Sequence, residues 1–176
     1  MKNPGLIVLI CVLILGFGVW TLKNRTVEDT MQVLSGKLYD VVYVYDGDTV
    51  KLDNGEHVRL IGIDAPESHD NEKLTRDVGH RHIDRGTQLA MGKKAARYAK
   101  EFLKSRQVRL EYDVEQRDRY GRLLAYIYLQ DGTFVNEKII RDGYAYPLTI
   151  PPNVRYAHEF KQWFDEAREQ KRGLWQ

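Results

Sequence analysis

The sequence predicts an α+β, mainly β fold built on a five-stranded OB-type barrel. Three observations predict it. Five short runs rich in β-branched and aromatic residues are separated by turn-forming Asp, Asn and Gly. Helical patterns follow the third and fifth of these runs instead of alternating with every strand. The 176 residues, 30% charged and 43% hydrophobic, suit one globular domain with an appendage. The single cysteine, Cys11, excludes an intramolecular disulfide. A net charge of +2 is too small to imply nucleic-acid binding by itself, so any basic footprint has to be local.

The appendage comes first. Residues 5–22 carry no charge and are followed by Lys23, Asn24 and Arg25. A helix apolar on every face is a poor surface helix of a globular domain. The length is at the short edge for a membrane span, and no small-x-small cleavage pattern follows it. An uncleaved membrane anchor over residues 1–25 is the favoured reading, with a cleaved signal peptide as runner-up. Residues 26–35 then form a polar tether and 36–176 the barrel domain. Lys2 and the α-amino group balance Lys23 and Arg25, so flanking charge does not set the orientation.

Within the domain, residues 41–45 form the first strand and Asp46-Gly47 is a strong hairpin signal. The second strand runs to Lys51, Asp53-Asn54-Gly55 turns the chain, and the third covers 57–63 before Pro66 stops it. Strict alternation puts Arg59 and Asp64 on opposite faces of that strand. Both reach one site only if it bends, and Gly62 is the permissive place. Residues 68–87 read as an irregular polar loop bearing His69, His80 and His82, where a His-x-His metal site competes with a substrate-gripping loop. Residues 88–106 are helical. Their Lys93, Arg97, Lys100 and Lys104 form a basic stripe, either a phosphate track or a solvated face. Strands over 108–114 and 123–129 flank the turn Arg117-Asp-Arg-Tyr-Gly-Arg122. A short helix over 134–141, a proline-punctuated loop over 146–153 and an amphipathic helix over 154–172 complete the chain.

Chemistry concentrates in residues 44–67, VYDGDTVKLDNGEHVRLIGIDAPE, and in the 117–122 turn. Two carboxylates, Asp48 and Asp64, can hold a hard cation. A third, Glu67, can accept a proton from water, and Arg59 with Arg122 can clamp a phosphate. That inventory suits phosphodiester cleavage. The bland alternatives are turn hydrogen bonds for Asp46 and Asp48, a solvated Glu67, a cross-strand ion pair for Arg59 and an exposed hairpin charge for Arg122. The turn reading is preferred for Asp46 and not for Asp48.

Tyr-Asp-Gly-Asp-Thr, then Arg-Leu-Ile-Gly-Ile-Asp-Ala-Pro-Glu, then Asp-Arg-Tyr-Gly-Arg-Leu-Leu-Ala-Tyr resemble, in order, the three signature blocks of the staphylococcal nuclease (thermonuclease) family. The likeness extends over roughly residues 36–175. It implies a five-stranded Greek-key barrel packed by three helices. It also implies a Ca2+-dependent nuclease acting on DNA and RNA with little sequence specificity and releasing 3′-phosphorylated products. Asp48 and Asp64 would ligate the ion together with the main-chain carbonyl of Ala65, a position where the family usually has threonine. Few protein ligands with several waters suit Mg2+ equally, so the residues alone do not choose the metal. Glu67 would be the general base, Arg59 and Arg122 the phosphate clamp, and Arg119 and Tyr120 further substrate contacts. The family's tyrosine pair before the last helix is not cleanly reproduced in residues 144–153. Secreted relatives imply a catalytic domain outside the cytoplasm, and a monomer is expected. The rival is a catalytically silent OB module, tethered to the membrane, that binds nucleic acid or protein.

Overall fold

The structure is a computed structural model that describes residues 36–81 and 83–176. The expected anchor over 5–22 lies outside the described residues. Among those described, no helix is long and apolar enough to cross a membrane.

Five strands close into a barrel in the order β1 (Tyr39–Val44), β2 (Thr49–Leu52), β3 (His57–Leu60), β6 (Leu123–Leu129) and β5 (Gln107–Glu111). Neighbours run antiparallel except β3 and β6, whose parallel pairing sets Val58 beside Leu123, Arg59 beside Leu124 and Leu60 beside Ala125. Alternation along the strands fills the interior with Val50, Leu52, Val58, Leu60, Val108, Ala125 and Ile127. It turns Thr49, Lys51, His57 and Arg59 outward. Burying one such aliphatic side chain is worth about 1.5–3 kcal/mol, so this alternation pins the register.

The predicted third strand is broken. β3 ends at Leu60, and β4 (Gly62–Asp64) leaves the barrel to pair with β7 (Tyr146–Leu148). The break falls at Gly62, with φ of 83°, where a Cβ would lie 2.0 Å from the Phe160 ring. The 146–153 segment, expected to be loop throughout, therefore supplies a short strand. Its backbone answers the polar groups that β4 takes out of the barrel. Asn136, fully buried, stitches the same junction: its Nδ2 donates to the Ile61 carbonyl at 2.8 Å and its Oδ1 accepts from Ile127 N at 3.0 Å.

Four α-helices are described, not three. The additional one, α1 (Glu72–Arg81), occupies the segment expected to be irregular. Asn71 accounts for it, since its Oδ1 accepts from Leu74 N at 2.8 Å as an N-cap, and fully buried Leu74 anchors the first turn. Asp84 likewise caps α2 (Arg85–Leu103) through Thr87 N at 3.0 Å. Helix α3 (Val135–Arg141) packs Val135, Ile139 and Ile140 into the core, and α4 (Ala157–Glu169) adds Phe160. The predicted last helix was thus too long at both ends.

Candidate active site

A cleft of about 610 Å³ opens where the β1–β2 turn, β3, β4, the start of α1 and the 117–122 turn converge. Asp48, Arg59, Asp64, Glu67, Arg119, Tyr120 and Arg122 all line it. The parallel β3–β6 pair explains how residues so far apart in sequence meet. Arg59 pairs with Leu124, so Arg122, two residues earlier in the adjacent strand's lead-in, faces the same way as Leu124 and Arg59.

Arg59 is the hub of the inner wall. Its Nη1 donates to the carbonyls of Leu60 at 2.9 Å and Ile63 at 2.8 Å. Its Nη2 lies 3.2 Å from Asp64 Oδ1 and 3.2 Å from Asp48 Oδ2. The broken strand carries Asp64 round to Arg59 despite their odd spacing. Asp48, with a side chain only 5% exposed, also accepts from Ala65 N at 2.6 Å and Thr49 Oγ1 at 3.0 Å. Asp46 plays the expected turn role, accepting from Asp48 N at 3.0 Å. Burial and the neighbouring Asp48 charge push the Asp46 carboxyl up to about 7.

Glu67 sits at the exit of β4 with both oxygens engaged. Asn71 Nδ2 donates to one at 2.7 Å and Lys73 Nζ to the other at 2.6 Å. Its backbone is held just as closely, since a Cβ on Gly92 of α2 would come within 1.9 Å of the Glu67 carbonyl oxygen. Lys73, which the sequence reading passed over, reaches further into the site. Its Nζ is 2.9 Å from Asp64 Oδ1 and 3.4 Å from the Ala65 carbonyl oxygen. Burial pushes this ammonium's pKa down, but Asp64, Asp48 and Glu67 together outweigh it and the net shift is upward.

The outer wall is built differently. Asp118 Oδ1 accepts from Tyr120 N at 2.9 Å and Arg122 N at 3.0 Å, and its Oδ2 accepts from Arg122 Nε at 2.7 Å. Burial alone would raise the Asp118 carboxyl, but these donors hold it below its usual range. Tyr120 is 69% exposed, receives a hydrogen bond from Arg119 Nη2 at 2.6 Å and lies under the guanidiniums of Arg119 and Arg122. Asp118 was also overlooked, although an Asp opening a tight turn is the residue that organises it.

Other candidates are not drawn in. Tyr144 stacks on Tyr98 at 4.0 Å, and Tyr146 packs against Phe164 and Trp175, so neither offers a ring to the cleft. His69 bonds Ser68 at 2.8 Å, and the side chains of residues 80–82 lie outside the description. Among the described residues, no three His, Cys, Asp or Glu side chains gather as a metal-binding group. Lys93, Arg97 and Lys100 lie exposed on α2, with Lys104 exposed at its C-cap. A second concavity of about 490 Å³ is lined by Thr133, Glu137, Lys138, Arg141, Asp142 and Arg172. Four of its charges pair off, Lys138 with Asp142 at 2.7 Å and Arg141 with Glu137 at 2.8 Å, and Arg172 donates to the Arg141 carbonyl at 3.0 Å.

With this geometry in view, comparison with known proteins is decisive. A family model described as staphylococcal nuclease homologue matches residues 57–176. The chain belongs to the staphylococcal nuclease family. It is 37% identical to a thermonuclease of Staphylococcus intermedius over 145 residues, 80% of this chain and 77% of that protein. A thermonuclease of Staphylococcus hyicus is 30% identical over 178 residues, covering 98% of this chain and 96% of its own. Endonuclease YncB of Bacillus subtilis is 33% identical over 135 residues, 74% of this chain and 57% of that protein.

Proposed function

We propose that this chain is a nuclease that hydrolyses phosphodiester bonds of DNA and RNA with little sequence specificity, using Ca2+ and leaving 3′-phosphorylated products. The observation that carries the reading is the convergence of Arg59, on β3, and Arg122, just before the adjacent parallel β6, on a cleft that also holds Asp48, Asp64 and Glu67. Relatives named thermonuclease and endonuclease support it.

The donor chemistry fits a hard divalent cation: Asp48, Asp64 and the Ala65 carbonyl offer only oxygen. Lys73 is a stand-in for that charge. Its ammonium touches Asp64 and the Ala65 carbonyl, two of the three groups an ion would use. A cation binding there therefore competes with Lys73. When bound, the ion supplies positive charge against the phosphate and lowers the pKa of coordinated water. Arg59 and Arg122 bind the non-bridging oxygens with planar forks that stay protonated and strengthen as charge builds on phosphorus. Asn71 and Lys73 hold Glu67 oriented, and its remaining lone pairs accept the proton of the attacking water. Arg119 and Tyr120 sit at the mouth, where Tyr120 can lie beside a base. We also propose that residues 5–22 anchor the chain in a membrane with the domain outside the cytoplasm, which protease accessibility of intact cells would test.

The test is cleavage of single-stranded DNA and RNA by the chain in Ca2+, in Mg2+ and in chelator, with end-group analysis of the products. Calcium-dependent cleavage to 3′-phosphate ends, reduced about 10²–10⁴-fold in Glu67→Gln, is the expected outcome. Saturable binding without cleavage in either metal would favour a silent OB-type binding module instead.

A further inference from the structure

Three tyrosines are exposed among the described residues, Tyr43 at 55%, Tyr45 at 39% and Tyr120 at 69%. Tyr120 belongs to the cleft. The other two form a cluster of their own with His57, also exposed. The Tyr43 and Tyr45 ring centroids are 4.8 Å apart, the Tyr45 and His57 rings 5.1 Å, and the Tyr45 hydroxyl lies 3.3 Å from His57 Nε2. Tyr43, Tyr45 and His57 have no assigned role in the reaction.

Strand register places this cluster with respect to the phosphate clamp. Thr49 pairs with Arg59, and Lys51 pairs with both His57 on one side and Tyr43 on the other. Tyr45 N donates to the Thr49 carbonyl at 2.9 Å, which extends the clamp's row to Tyr45. Two rows therefore run side by side across one outward sheet face: Tyr45, Thr49, Arg59, Leu124, and then Tyr43, Lys51, His57. The rows are two residues apart, about 7 Å. Thr49, Arg59 and Leu124 already line the cleft, so the aromatic row continues its floor. The barrel is closed, so these strands have no free edge for a peptide strand to pair with.

We infer that Tyr43, Tyr45 and His57 form a stacking platform for an unpaired base of a single-stranded nucleic acid, with Lys51 beside it for the backbone. This rests on the nuclease reading of the adjoining cleft. Every base has a π-face, so rings serve a nuclease of low sequence preference where hydrogen-bond readout would not. A base held in a duplex is already stacked and cannot lie on the platform. The alternative is that the rings only support the β1–β2–β3 strands as cross-strand pairs.

The experiment measures binding of fluorescein-labelled oligonucleotides to the full chain in chelator by anisotropy, so no cleavage intervenes. One 20-mer carries bases and the other is abasic with the same phosphates. The unaltered chain should prefer the base-bearing strand by about tenfold, within the range that stacking supports. Tyr43→Ala/Tyr45→Ala should cut that preference at least threefold, any remainder coming from Tyr120, while leaving affinity for the abasic strand unchanged, and Tyr43→Phe/Tyr45→Phe should keep it. An unchanged preference in the alanine variant overturns the platform. So does equal weakening for both strands, or no preference in the unaltered chain. Cleavage of a short p-nitrophenyl phosphodiester in Ca2+, which reaches only the clamp, judges the nuclease reading separately. Binding preference without cleavage would sink that reading and leave the platform standing.

Discussion

The two walls of the cleft hold their arginines in opposite ways. Arg59, with a side chain 12% exposed, is fixed by two carbonyls and two carboxylates contributed by β3, β4 and the β1–β2 turn. Arg122, 32% exposed, is tied to Asp118 four residues away within its own turn. The first arginine is part of the fold, and the second is carried by it. Removing the first takes the guanidinium from buried Asp48 and from Asp64, which keeps Lys73, whereas removing the second disturbs one turn.

The same substitution at both places separates the two roles. Arg59→Lys should cut turnover about 10³-fold or more, because one ammonium cannot replace a fork serving four acceptors. It should also cost about 2–3 kcal/mol in denaturant unfolding, the scale of a lost charged hydrogen bond. Arg122→Lys should cut turnover on a similar scale but leave stability within about 0.5 kcal/mol. Equal stability losses would erase the distinction. Gly92→Ala probes the inner wall from behind. Helix propensity alone favours the change by about 1 kcal/mol, yet the new Cβ falls on the Glu67 carbonyl oxygen. Turnover should fall at least tenfold through displacement of Glu67, and stability should fall by about 1–3 kcal/mol because the clash is with backbone.

Smaller effects follow from the charges packed behind Arg59. Lys73→Met should tighten Ca2+ binding about tenfold by calorimetry, since a competing cation beside the same oxygens is removed and Lys73 is one-third exposed. Unchanged or weaker affinity would mean the ammonium does not compete. Asp46 gives a pH signature. Its folded value of about 7 lies above the ordinary 3.8, so between those pH values the folded state binds more protons than the unfolded state. Stability in chelator should therefore decline as pH rises from about 4 to 7. Asp46→Asn should flatten that decline.

Much of the barrel was legible in the sequence because period-two alternation and turn dipeptides are local properties. The break at Gly62 was legible for a different reason, a conflict: Arg59 and Asp64 could not share a face on a regular strand. What was missed depended on partners distant in sequence. β7 is a strand only because β4 leaves the barrel to meet it, and residues 146–148 carry no alternation of their own. Helix α1 hid behind charged residues, although Asn71 and Leu74 mark its first turn. At the site, residue types with familiar chemistry stood out in the sequence. Lys73, Asp118 and Asn136 act by position, and a lysine, an aspartate or an asparagine in isolation looks like solvated surface. The histidine-bearing segment drew notice for its composition, yet His69 engages only Ser68 among the described contacts.

The proposed function has arginines from the two walls acting on one phosphate. A double-mutant cycle in kcat over Arg59→Lys, Arg122→Lys and the combined variant tests it most directly. Two residues acting as a unit lose far less together than the product of their separate losses. Strong non-additivity of that kind is expected, with the double variant little slower than the worse single one. Fully multiplicative losses, or near-normal rates in both single variants, would contradict it.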